Sequence, residues 1–132
     1  MILVIGGYSQ GKLDYVKKRF SKDKVAIIDA KSFSADITET ENNNEKKIVI
    51  DNINELVKNS VIDKKNPEDE IKKLLHKFPD SIIISDEVGN GIVPIDKTER
   101  LIRETIGRMQ CILAEQAEEV IRVICGIGQK IK

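Results

Sequence analysis

Short, continuously apolar runs alternate along this chain with longer stretches in which apolar residues recur every three or four positions. The runs are Ile2 to Ile5, Val25 to Ile28, Ile48 to Ile50, Ile82 to Ile84 and Val120 to Ile124, rich in Val and Ile and bounded by polar or turn-forming residues. Continuous rather than alternating apolar character suits strands covered on both faces, as in a parallel sheet between helical layers. Helices are predicted between the runs, at Lys12 to Phe20, Asn52 to Ser60, Pro67 to Lys77 and Lys97 to Glu118. In the last of these Ile102, Ile106, Met109 and Leu113 follow at spacings of four, three and four, which places them on one face. Asp96 and Glu99 fit a capping box at its start. Strand and helix in alternation imply βαβ units with right-handed crossovers, hence a three-layer α/β fold with a mainly parallel sheet.

The segment Lys31 to Lys47, KSFSADITETENNNEKK, carries no such period and reads as an exposed or partly disordered connection. Asp63 to Asp69, with Asn66-Pro67, reads as a turn into a short helix. At 132 residues the chain has the size of a single domain, residues 1–132, with one real core. Charge changes the picture only by exclusion. The 22 Lys and Arg balance 22 Asp and Glu and are spread along the chain, so no positive field exists to gather nucleic acid or anionic lipid. The run Met1 to Ile5 is too short for a secretory core or a membrane span, and the expected location is the cytoplasm. Cys111 and Cys125 form no CxxC pair and have no histidine nearby in sequence. Both are expected as small apolar core residues with free thiols. Aromatic residues make up 4% and Trp is absent, which leaves recognition to backbone, charge and aliphatic contacts.

Candidate chemistry begins where the first run ends. Gly6-Gly7-Tyr8-Ser9-Gln10-Gly11-Lys12 has the Gly-x4-Gly-Lys spacing of a P-loop. Glycines let successive backbone N–H groups converge on phosphate oxygens, the lysine adds a cation, and the helix that follows contributes its positive end. Position 13 departs from the full pattern, because Leu13 stands where Ser or Thr would ligate Mg²⁺. The nucleotide-binding residues are therefore expected to be Gly6, Gly7, Tyr8, Ser9, Gln10, Gly11, Lys12 and Leu13, with ATP or GTP as ligand. An acid at the end of another central strand should complete the site. Asp51, after Ile48-Val49-Ile50, is the first choice as Mg²⁺ holder, and Asp86-Glu87, after Ile82-Ile83-Ile84-Ser85, is the competitor. Both strand tips should lie on the carboxyl edge of the sheet, where α/β proteins bind ligands.

The run Ser85-Asp86-Glu87-Val88-Gly89-Asn90-Gly91-Ile92-Val93-Pro94, followed by Arg103, Gly107, Ala114 and the closing Gly126-Ile-Gly-Gln-Lys-Ile-Lys132, resembles the cobinamide kinase/cobinamide-phosphate guanylyltransferase family of cobalamin biosynthesis. The resemblance is loose over about the first fifty residues and close over about the last fifty. It implies a RecA-like P-loop NTPase fold, a homo-oligomer, and a protein that phosphorylates the aminopropanol arm of adenosylcobinamide and then transfers GMP through a guanylylated histidine. On this footing Lys12, Asp51 and Glu87 are the catalytic candidates, Glu87 lying near the acceptor hydroxyl. Gly89 and Gly91 would permit tight backbone approach in the loop after it.

Departures from the family accompany the matches. Its members are longer between the second strand and the strand that carries Asp51, where the guanylylated histidine lies. This chain has no histidine there, and its sole histidine, His76, falls at a predicted helix C-terminus, where an imidazole usually caps. Three readings follow: a cobinamide kinase-like phosphotransferase that has lost the guanylyltransferase step, a catalytically inactive nucleotide- or corrinoid-binding partner subunit, and a structural subunit with a vestigial loop.

Overall fold

The structure is a computed structural model that describes residues 1–32 and 46–132. Its elements run β1 (Ile2–Gly6), α1 (Lys12–Phe20), β2 (Val25–Asp29), β3 (Lys47–Asp51), α2 (Ile53–Ile62), α3 (Pro67–Lys77), β4 (Ile82–Asp86), α4 (Lys97–Gln116), β5 (Glu119–Ile124) and β6 (Ile127–Lys130), with 3₁₀ turns at Lys22–Lys24 and Ala30–Ser32. The strand order is β2-β3-β4-β1-β5-β6. The first five strands are parallel, and β6 returns antiparallel along β5.

The apolar runs became strands, the central ones buried on both faces as their composition predicts, while Ile27 of the edge strand β2 and Ile124 at the end of β5 stay exposed. Successive side chains of a strand point to opposite faces, and here each face has its own core. Leu3, Ile50, Ile83 and Val120 pack with α2, α3 and α4 on one side. Val4, Val49, Ile84 and Val123 pack with Val16 of α1 on the other. The predicted α4 stripe holds, with Ile106, Met109 and Leu113 buried and Ile102 packed against them. One half of the predicted capping box is present at its start, the Asp96 side chain accepting from the Glu99 N–H at 2.9 Å. At α3, Asn66 accepts from the Glu68 N–H at 3.0 Å and Pro67 occupies the first turn. A missing donor costs nothing there.

Two readings change. The strand β6 is absent from the sequence reading. Both cysteines are exposed rather than buried, Cys111 on the outer side of α4 and Cys125 in the turn between β5 and β6. The connection expected over Lys31 to Lys47 falls largely on residues 33–45, which lie outside the described residues. Among the described residues no helix is long and apolar enough to cross a membrane.

Candidate functional site

The sheet delivers three acids in a row at its carboxyl edge, Asp29, Asp51 and Asp86, the last residues of β2, β3 and β4. Strand parity turns all three toward the face on which the phosphate loop lies, Asp29 by following Ile28 of the three-helix core. Ile50 and Ile83 face the three-helix side, so Asp51 and Asp86, an odd number of residues further on, face the α1 side where the loop lies.

That loop leaves β1 at Gly6, which has no room for a side chain. A Cβ there would lie 2.4 Å from the Val123 carbonyl oxygen of β5. The Gly6 carbonyl accepts from the Glu87 N–H at 2.9 Å, which ties the loop's root to the end of β4. Gly11, at φ 82°, turns the backbone into α1, in a left-handed conformation that glycine adopts without penalty. The hairpin between β5 and β6 props the loop from behind. Gln10 accepts from the Cys125 N–H through Oε1 at 2.8 Å and from the Gly126 N–H through its carbonyl at 2.9 Å.

Lys12 is the buried cation of the site, 7% exposed. Its Nζ donates to the Gly7 carbonyl at 2.7 Å and pairs with Asp86 Oδ1 at 2.5 Å. A cavity of about 280 Å³ opens over this pair, lined by residues 8–14 together with Asp51, Asn52, Ile84 and Asp86. Tyr8 stands at its exposed lip. Asp51 is half-buried, and burial raises its carboxyl above the usual range. The nearby charges of Asp29 and Asp86 act in the same direction, against the Asn52 N–H and Lys12. Asp29 differs, held below its ordinary value by the Lys31 N–H and the Asn52 side-chain amide that it accepts from.

The structure thus gathers Tyr8, Ser9, Gln10, Gly11, Lys12, Leu13 and Asp51 around one cavity, and Gly6 and Gly7 lie behind its lining. Glu87 is apart from it. Its carboxylate is bidentate to Arg122 of β5, at 2.6 and 3.0 Å. His76 is exposed at the end of α3. Sequence reasoning missed Asn52, Arg122 and two interior amides, Asn54 and Gln110. Gln110 had a readable signal, a polar residue inside the apolar stripe between Ile106 and Leu113.

A parallel sheet whose first strand enters a glycine loop, with the loop lysine turned back toward a carboxylate at a neighbouring strand end, defines a three-layer P-loop NTPase fold. The sequence model of the cobinamide kinase / cobinamide phosphate guanyltransferase family matches residues 17–131, and the chain belongs to that family. The match begins after the phosphate loop, so the loop stands on its own geometry. Two relatives are each 45% identical to this chain over 51 residues: the bifunctional adenosylcobalamin biosynthesis protein CobU of Salmonella typhimurium and that of Escherichia coli. The aligned stretch covers 39% of this chain and 28% of each relative's length.

Proposed function

We propose that this chain binds a nucleoside triphosphate, ATP or GTP, at the Gly6 to Lys12 loop and transfers its terminal phosphoryl group to adenosylcobinamide in adenosylcobalamin biosynthesis. The observation that carries the reading is the buried Lys12 ammonium, set between the Gly7 carbonyl and Asp86 under a cavity that Asp51 shares. Lys12 holds donor phosphate oxygens together with the backbone N–H groups of Gly7 to Gly11, the positive end of α1 behind them. Phosphoryl transfer asks mainly for positioning and charge neutralisation, which this arrangement supplies.

Mg²⁺ fits the residues present. Asp51 and Asp86 offer hard carboxylate oxygens into one cavity, and Mg²⁺ is commonly held by one or two carboxylates plus water and substrate phosphate. Leu13 contributes no ligand, so Asp51 is the principal protein holder. When bound, the ion neutralises phosphate charge. Glu87, at the root of the 87–94 loop and outside the cavity lining, is assigned to the acceptor hydroxyl in this reading. Its bidentate bond to Arg122 fixes its carboxylate as an orienting acceptor of hydrogen bonds.

The GMP-transfer step is absent from the proposed activity, since no histidine lies between Val25 and Asp51 and His76 sits at the end of α3, away from the cavity lining. We place the protein in the cytoplasm as a homo-oligomer, with neither nucleic acid nor membrane as partner. Exposed Ile92 and Ile95, 91% and 95% accessible, supply apolar area for assembly.

Calorimetric titration with ATP and GTP, each with and without Mg²⁺, tests the reading. Magnesium-dependent binding that Lys12→Ala weakens roughly tenfold or more supports it, given the strength of charge-assisted contacts to phosphate. Equal binding by wild type and Lys12→Ala sinks it. Leu13 favours a second reading, a catalytically inactive nucleotide- or corrinoid-binding partner subunit. Adenosylcobinamide phosphate formed by the isolated chain, and lost in Lys12→Ala, would refute that one.

A further inference from the structure

The strand that presents Asp86 to the phosphate loop presents Ser85 to the opposite side, where it is 1% exposed between α2 and α4. There Ser85 Oγ donates to Asn54 Oδ1 at 2.6 Å and accepts from Gln110 Nε2 at 2.8 Å. The same two amides continue past it. Asn54 Nδ2 donates to the Asp86 carbonyl at 2.8 Å, and Gln110 Nε2 donates to it at 2.6 Å. A carbonyl oxygen has two lone pairs, and donors from two different helices meet at this one, on the residue whose carboxylate pairs with Lys12.

Polar groups are costly in a helix–sheet interface unless fully paired. These pair chiefly with one another and with a single backbone oxygen, so the network is both satisfied and stiff. Gln110 interrupts the stripe that Ile106 and Leu113 fill, a place where an aliphatic side chain would pack without needing partners. Asn54 comes three residues after Asp51, in the helix that follows its strand.

We propose that Asn54 and Gln110 are positioning residues that clamp the Asp86 carbonyl from the rear of the sheet and thereby aim its carboxylate at Lys12. The clamp joins α2, β4 and α4 at the residue whose carboxylate pairs with Lys12. It sets the direction of the Lys12 ammonium before any phosphate arrives. This inference rests on the reading of Lys12 as the phosphate-binding cation.

The test uses the full chain in four forms: wild type, Gln110→Met, Asn54→Leu, and Ile106→Val, which trims the same helix interface without touching the clamp. Three quantities are read: nucleotide affinity by calorimetry, the rate at which Lys12 is reductively methylated in the free protein, and the urea midpoint. Loss of either amide is expected to weaken nucleotide binding roughly tenfold and to speed Lys12 labelling severalfold, as misdirected site groups commonly do. Ile106→Val should lower the midpoint and leave affinity and labelling unchanged. Should Gln110→Met fail to fold, Gln110→Glu keeps the shape, lacks the donor, and should give the same losses. Wild-type affinity and wild-type Lys12 labelling in a folded amide variant would overturn the clamp. If the wild type binds no nucleotide yet Lys12 labelling responds to the amide variants, the clamp stands and the phosphate-loop reading falls.

Discussion

At the scale of single residues, Asp51, the proposed Mg²⁺ holder, carries a cost in stability. Burial raises its carboxyl above the ordinary 3.8, so the native state holds this proton more tightly than the unfolded chain does. Ionising it therefore costs stability. The cost is absent below 3.8 and complete above the raised native value. Asp51→Asn should raise the urea midpoint at pH 7, the gain fading as pH falls through the native value toward 3.8, while magnesium-dependent nucleotide binding weakens. A pH series of unfolding curves on the two proteins measures both limits. Gly6 carries a different constraint. An alanine methyl would lie 2.4 Å from a backbone oxygen of β5 that cannot rotate away, so Gly6→Ala should cost about 1–3 kcal/mol of stability, the usual range for overpacking. Equal midpoints for variant and wild type would disprove that. Much of this was readable beforehand. The Gly-x4-Gly-Lys spacing located the loop and the polar ends of two apolar runs located Asp51 and Asp86. Pairing was not readable: Lys12 to Asp86, Glu87 to Arg122 and the two interior amides join residues far apart in sequence, and only the sheet order brings them together.

Among elements, the four helices and five parallel strands follow the apolar pattern to within two or three residues, because burial on both faces leaves little choice of residue type. The strand β6 escaped for a physical reason. Ile127–Lys130 lies at the sheet's edge with little burial, so its sequence lacks the apolar run that a central strand requires. Its turn is equally inconspicuous in sequence. Cys125 and Gly126, at φ 50° and 77°, make the two-residue connection with both central residues left-handed that matches strand twist. Asn-Gly is the usual signal for such a turn, and Cys-Gly is not. Cys125→Asn should therefore stabilise the protein by up to about 1 kcal/mol, since asparagine tolerates that conformation better. An unchanged or lower midpoint would contradict the assignment. The same mistake about environment explains the cysteines: thiols are usually buried, yet Cys125 serves a turn and Cys111 sits outside the α4 stripe.

For the whole molecule, fold class was the most legible property, because alternation of strand and helix is a statement about every layer at once. Assembly is the least legible, since it depends on which apolar residues stay uncovered. Ile92, Val93 and Ile95 emerge as one exposed run after β4, and light scattering on the intact chain should report a mass above the 14.9 kDa of one copy. Ile92→Ser with Ile95→Ser should reduce it, and a monomer at all concentrations would remove the homo-oligomer from the proposal. The sheet's two-sidedness has a further consequence for how such a chain can vary. Along β4 the odd and even positions address separate audiences, Ile83 and Ser85 the helices behind, Ile84 and Asp86 the loop in front. Deleting or inserting one residue there would exchange them, turning a carboxylate inward among aliphatic side chains and leaving Lys12 facing a hydroxyl. Point substitutions in β4 can be graded by size and polarity. A change of one in its length is of another kind, a frameshift written in space, and it should be tolerated nowhere in the strand that binds front and back together.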